Sequence, residues 1–531
     1  MKTKKNFLNY CHDNAFFGII QETHLGEMSP GFLVLEGHMR IAFDNDLYLK
    51  LQSENIIKRV NQFGDKLYLE FGGKLFDDYH ASRVLPGFLP DSKLKMLLTI
   101  KDDVEIVIAI SAKDIEKNKI RNDIGINYES EVLRLIDAFR SSGLFVGSVC
   151  VTQYQDVPVV NTFIKKLNNL GINVYKHYVI EGYPHCIDKI ISEEGFGKND
   201  YIKTSHKVVV VTAPGPGSGK MATCLSQLYH ENKNGIKAGY AKYETFPIWN
   251  LDLKDPINIA YEAATADLAD VNMIDPYHLN YYGKLTVNYN RDVEIFPVLK
   301  SMFTAIYGKC PYESPTDMGV NMAGFAISDH EASDEASKAE IVRRYYETKV
   351  LLRNGKATEN ALEKIKLLMQ SLNLNEESRH CVLSARKKKE DTGTESMALE
   401  LSDGTMITAK TSKLLLAPSA LILNALKYLA GIPDDIPLLS VQIIEPVSNL
   451  KINVLGNRNP RLHVNEVLNA LAISATTNPL AQLAISKLHE LRGAQAHSTV
   501  ILSEVDSNIF KKLKIDLTTD DVAYAHRLYV K

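Results

Sequence analysis

The sequence is poor in the features that would mark a metal-caged, secreted or nucleic-acid-binding protein. Its six cysteines (Cys11, Cys150, Cys186, Cys224, Cys310 and Cys381) form no Cys-x-x-Cys pair. That scatter speaks against a zinc cage and a disulfide framework, and reads as free thiols in a reducing cytoplasm. No excess of basic residues is present: the formal charge is -3 and the pI is near 6.6. A basic face for nucleic acid is therefore not expected. The longest apolar stretches, Val208 to Val211 and Leu414 to Leu426, are too short or too interrupted to span a bilayer, which takes about 20 apolar residues. Lys2, Lys4 and Lys5 precede an interrupted apolar run, Ala15 to Ile20, without a small-residue cleavage site, so no signal peptide is expected. His230-Glu231, His330-Glu331 and His489-Glu490 each lack the second histidine of a zincin, and no GxSxG elbow is present.

Apolar residues make up 45% and charged residues 24% of the 531 positions, within the usual range for globular proteins and enough for several cores. A chain of this length divides into roughly three or four domains. From Met39 onward, helical periodicity alternates with short β-branched runs, the pattern of a parallel sheet covered by helices. Strands are expected at Lys66 to Phe71, Val104 to Ser111, Leu144 to Thr152, Ile172 to Tyr178, Lys207 to Thr212 and Ile236 to Tyr243, with helices at Glu129 to Ser141 and Val157 to Leu170. The expected division is an arm at 1–38, a Rossmann-like α/β region at 39–255, a polar, loop-rich segment completing a cleft at 256–330, a charged helical segment at 331–395 and an α/β subdomain at 396–531. In the last of these, Met397 to Lys410 reads as a hairpin about Asp403-Gly404, Pro418 to Leu429 and Val464 to Ala475 as buried helices, and Thr499 to Ser503 as a strand.

The segment richest in chemistry is Ala213 to Thr223 (APGPGSGKMAT), between a buried strand and a helix. Glycines there turn backbone N–H groups toward an anion, and a helix N-terminus adds unpaired donors. Gly215, Gly217, Ser218, Gly219, Lys220 and Thr223 are the candidate ligand-binding residues, with Lys220 placing a full charge beside a phosphate. Pro214 stands where a P-loop has its first glycine and Met221 where it has the Mg²⁺-binding hydroxyl, which weakens a metal-ATP reading. A tight turn with a solvated lysine is the competing structural reading. A second loop, Gly72-Gly73-Lys74, leaves the end of an earlier strand and could face the same crevice, or be a plain turn. Asn288, Asn290, Arg291, Asp292 and Glu294, and Thr316, Asp317 and Asn321, are polar clusters that fit either a ligand site or Asx turns, and Asp270, Asp275 and His278 form a weaker group. His497 lies where a general acid or base could reach a cleft, or could be an ordinary core histidine.

The stretches KLYLEFGGKLFDDYHASRVLPGF, VVVVTAPGPGSGKMATCLSQLYHE, AGYAKYETFPIWNL, VNYNRDVEIFPVL and SPTDMGVNMAG resemble a bacterial family catalogued as domain of unknown function 1846, from about Met39 to near the C-terminus. The resemblance implies a Rossmann-like region, a helical insert and a C-terminal subdomain similar to the cytidine-deaminase topology. It implies no activity, and the Cys and His pattern of a zinc deaminase is missing. Three functions stand open. The first is a nucleotide-dependent ligase or kinase acting on a small metabolite, with or without Mg²⁺, in which Lys220 grips phosphate, Asp292 or Asp317 holds the metal, and Arg291 and His497 are further catalytic candidates. Another is an enzyme transforming a phosphorylated metabolite or nucleotide-sugar without ATP. The third is a non-catalytic, nucleotide-sensing regulator. A small phosphorylated ligand and a homo-oligomer are the expected partners, with neither nucleic acid nor membrane.

Overall fold

The computed structural model describes residues 40–523, apart from 65, 74, 77, 122–124 and 269. Seven strands form the main sheet: β1 (Lys66–Phe71), β2 (Val104–Ser111), β3 (Phe145–Tyr154), β4 (Asn173–Tyr178), β5 (Val208–Thr212), β6 (Ala238–Tyr243) and β7 (Gly319–Val320). Their spatial order is β7-β6-β1-β5-β2-β3-β4, and all pairings are parallel. Parallel sheets are buried on both faces, which is why β2 (VEIVIAIS) and β5 (VVVVT) are apolar apart from Glu105, Ser111 and Thr212, and are enclosed along their whole length. Alternate residues divide between two cores. Leu67, Leu69, Ile106, Ile108, Val208 and Val210 pack on the side of helices Tyr128–Ser141 and Pro158–Asn169. Tyr68, Val107, Val209, Val211 and Tyr240 pack beneath helices Lys220–Lys233 and Asn290–Tyr307.

The six strands anticipated from periodicity are present, within two residues at each end. The seventh, β7, has only two residues and carries no periodic signal. The segment 256–330 is more regular than its polar composition suggests. It contains helix Asn290–Tyr307, whose Phe296, Leu299, Met302 and Phe303 close the second core despite Pro297 within the helix. Asn, Asp and Pro lower helix propensity, but burial of that apolar stripe outweighs it.

A run of helices follows: His330–Arg353, Glu359–Ser371 and His380–Thr392. A four-stranded sheet then forms from β8 (Ser396–Glu400), β9 (Met406–Lys410), β10 (Gln495–Ser498) and β11 (Asp516–Thr519), in the order β9-β8-β10-β11. β8 and β9 are the anticipated hairpin, with Gly404 at φ +81° supplying the turn. The late strand lies earlier than Thr499 to Ser503: β10 ends at Ser498, and Ser503 caps helix Glu504–Lys512 by accepting from the Asp506 N–H. Hydroxyls that can cap a helix took the end of that run.

One buried carboxylate anchors the long helix to the main sheet's periphery. Glu340 is 2% exposed and accepts from Arg83 Nε (2.8 Å), Arg344 Nε (2.9 Å) and Arg343 Nη2 (2.7 Å), with His80 Nδ1 at 3.3 Å. Burial alone would raise its pKa; the surrounding guanidinium groups more than reverse this and hold it well below the usual range. We expect Glu340→Ala, which strands these cations, to cost about 3–5 kcal/mol and to lower the melting temperature sharply. The stabilisation is present above the carboxyl's unfolded pKa and is lost as pH falls through the depressed folded value, so melting temperatures measured below pH 4 should fall less steeply with acidification in Glu340→Gln than in the parent.

Candidate functional site

All seven strands of the main sheet deliver the chain to one edge, and two sets of chemically active groups meet there. The first is the loop after β5. Gly217 and Gly219 take φ of +77° and +86°, a conformation that side chains disfavour, and a side chain on Gly215 would run into the Tyr128 hydroxyl. Thr152 Oγ1 on β3 donates to the Ser218 carbonyl at 2.8 Å and holds the loop from beneath. The backbone N–H groups of Gly217, Gly219, Lys220, Met221 and Ala222 have no acceptor among the described residues; the first helical bond is Thr223 N to Gly219 O, 2.9 Å. Lys220 opens the helix, is half-buried, and makes no ion pair or hydrogen bond among the described residues. A concentration of unpaired donors plus a free cation is the electrostatic arrangement of an anion site.

The loop's hydroxyls are engaged within it. Ser218 Oγ donates to Gly215 O (3.0 Å) and Thr223 Oγ1 to Gly219 O (3.0 Å). Met221 offers no hydroxyl in their place.

The second set lies beside the loop. Glu70 on β1 is flanked in register by Val211 of β5 and Lys242 of β6. Only 8% exposed, Glu70 accepts from Tyr240 Oη at 2.7 Å. Lys242 Nζ pairs with Glu244 Oε1 at 2.7 Å and with Asp292 Oδ2, which comes from the first turn of helix Asn290–Tyr307. The two sets are in electrostatic reach of each other. The Cys224 thiol is raised well above its usual pKa by burial and then by Glu70, while Lys220 opposes the shift.

Other residues singled out from the sequence have different work. Asp317 closes a capping box, its Oδ2 accepting from the N–H groups of Glu313 (3.0 Å) and Ser314 (3.1 Å) and from Tyr282 Oη (3.1 Å). Arg291 forks onto Asp270 at 2.6 and 2.8 Å. Asn288 donates to Thr316 Oγ1 and Asn321 to Pro247 O, as Asx-type loop supports do. Asp275 accepts from Thr316, and His278 Nδ1 lies 3.0 Å from Ser314 Oγ. His497 is fully buried on β10, 2.9 Å from Thr518 Oγ1 and 3.4 Å from Asp520, and burial lowers its pKa; it belongs to the C-terminal sheet rather than to this edge. A side chain on Gly73 (φ +69°) would run into Lys93 Nζ, and Lys93 pairs with Asp78 at 2.8 Å. Lys74 lies outside the described residues. A separate cavity of about 410 Å³, lined by Gln62, Phe63, Lys237 and Tyr307 among others, sits at the amino end of β6, opposite the loop.

Sequence reasoning passed over Glu70, Lys242 and Glu244. The signal was there: charged residues within or just after strands that are otherwise apolar, at the end where ligands bind in parallel sheets.

Two carboxylates share one ammonium in this cluster, and that imbalance has a measurable consequence. Burial pushes Glu244 up to about 7; Lys242 opposes this, and Asp292 and Glu70 add to it. The folded chain then holds a proton that an unfolded carboxyl, at about 4.3, releases. Stability from this group therefore falls as pH rises from roughly 4.5 to 7. Melting temperatures measured across that range should show a shallower decline for Glu244→Gln, with the variant at least as stable as the parent at pH 8. Lys242→Met, which leaves the carboxylates uncompensated, should melt lower at pH 8 and recover on acidification.

The chain matches two family descriptions: "Domain of unknown function DUF1846, N-terminal" over residues 41–373 and its C-terminal counterpart over 377–529. It is 56% identical over 490 residues to UPF0371 protein str1377 of Streptococcus thermophilus, and equally so to a UPF0371 protein of Streptococcus pneumoniae strain JJA. In each case the alignment covers 92% of this chain and 99% of the relative. UPF0371 protein SpyM50764 of Streptococcus pyogenes is 55% identical over 491 residues, with the same coverage. The loop, its helix and the paired strands at the sheet's edge all fall within the N-terminal match, and the chain belongs to the DUF1846 family.

Proposed function

We propose that this protein binds a phosphorylated metabolite at the carboxyl edge of its main sheet and transforms it without using metal-bound ATP. The observation that carries the reading is the group of backbone donors at Gly217, Gly219, Lys220, Met221 and Ala222, which have no acceptor among the described residues and lie beside a lysine that has no partner among them. Donors fixed before the ligand arrives bind an oxyanion without reorganisation. The same loop could serve a nucleotide-dependent enzyme, the runner-up reading. The hydroxyl chemistry favours the first: Ser218 and Thr223 point their protons at loop carbonyls, Asp317 is engaged in a capping box, and Asp292 is paired with Lys242. Of the groups that could stand in for the missing P-loop hydroxyl, these four are already engaged.

In a thermal-shift screen of inorganic phosphate, pyrophosphate, nucleotides and phosphorylated metabolites, at least one phosphorylated compound should raise the melting temperature. The shift should persist in EDTA and should fall by most of its size in Lys220→Ala. A shift that needs Mg²⁺ would favour the nucleotide-dependent reading. Protection that is the same in Lys220→Ala would remove the loop as the site.

A further inference from the structure

The glycine loop accounts for one end of a ligand and leaves the charged cluster beside it without a part. Glu70, Glu244 and Asp292 outnumber the single Lys242 among them, so the cluster is unsuited to the phosphate itself. Its groups differ instead in hydrogen-bonding kind: an ammonium only donates, a carboxylate only accepts, and a carboxyl that keeps its proton, as Glu244 does below about pH 7, does both. It is also not sealed: the Lys242 and Asp292 side chains keep 15% and 14% of their surface exposed.

Trp249 adds a second donor at the same place. Its indole N–H is enclosed and has no acceptor among the described residues. The ring lies over Gly319 so closely that any side chain there would overlap it, and Glu244 Oε2 is 3.1 Å from where that side chain would begin. Glu244 is only 6% exposed, and its Oε1, although 2.7 Å from Lys242 Nζ, lies off the line of a hydrogen bond. A buried donor and a buried acceptor without hydrogen bonds therefore flank one glycine of β7. Groups left in this way destabilise the folded chain unless something else satisfies them.

A hydroxyl both donates and accepts, so neighbouring hydroxyls match acceptors and donors set side by side, and an indole face suits the C–H face of a ring. We propose that Glu244, Lys242, Asp292 and Trp249 recognise the hydroxyls of a sugar, and that the ligand of this protein is a sugar phosphate. The inference rests on the glycine loop being the phosphate site.

Trp249 is the single tryptophan of the chain, so intrinsic fluorescence reports on this place directly. The full-length protein is titrated with inorganic phosphate, glucose, glucose 6-phosphate and ribose 5-phosphate, and the same compounds are compared in thermal melts. One of the sugar phosphates should change the emission and bind at least roughly tenfold more tightly than inorganic phosphate. Glu244→Gln should abolish that advantage while protection by inorganic phosphate stays, and Trp249→Phe, read by melting, should do the same. Sugar phosphates that bind no more tightly than phosphate, or an advantage that survives both substitutions, would overturn the proposal with the loop reading intact. Absence of protection by phosphate and sugar phosphates alike would overturn the sugar-phosphate proposal, and absence of protection by every phosphorylated compound would overturn the loop reading as well.

Discussion

The parallel direction of the seven main strands is the constraint from which the rest follows. A parallel sheet must be covered on both faces, so each connection crosses over as a helix or long loop and every strand ends at the same edge. The loop after β5 and the charged side chains of β1 and β6 are therefore brought together, although β1 precedes both by well over a hundred residues in sequence. The order β6-β1-β5-β2 adds a second condition. The chain leaves β1 for β2 in one direction, then returns with β5 between them and steps across β1 to β6, so the connections diverge where the glycine loop emerges.

Opposite solutions to buried charge appear in the two halves of the chain. Glu340 is surrounded by more cations than it needs, and its carboxyl is held ionised. Around Lys242 the excess is of carboxylates, and Glu244 is pushed toward its neutral form. The first arrangement suits a fixed joint between a helix and its surroundings. The second leaves a proton whose position depends on what lies nearby, which is a property of sites more than of scaffolds.

Much of the architecture was legible because burial writes itself into sequence. Valine and isoleucine runs marked β2 and β5, and period-3.6 stripes marked helices Tyr128–Ser141 and Pro158–Asn169. Two-residue β7 was invisible, and helix Asn290–Tyr307 was hidden behind asparagine, aspartate and an internal proline. At the edge of the sheet the glycine loop stood out by composition, while Glu70, Lys242 and Glu244 did not, since their significance lies in register between strands rather than in spacing along one segment. The polar clusters at Asn288 and Thr316 had the composition of a site, yet most of their groups hold loops in place. Composition alone does not separate the two uses of an amide or carboxylate.

The helix that begins at Lys220 is also fastened at its far end. Glu231, fully buried near its C-terminus, accepts from Lys66 Nζ (3.0 Å), Tyr68 Oη (2.6 Å) and Tyr201 Oη (3.1 Å). The loop at one end is braced by Thr152 and the last turn at the other by β1, so the helix has little freedom to slide or tilt. Encounter with an anion at the loop would then be limited by diffusion and local charge rather than by waiting for a rare open form, and bound lifetime would be set by the ligand's own contacts.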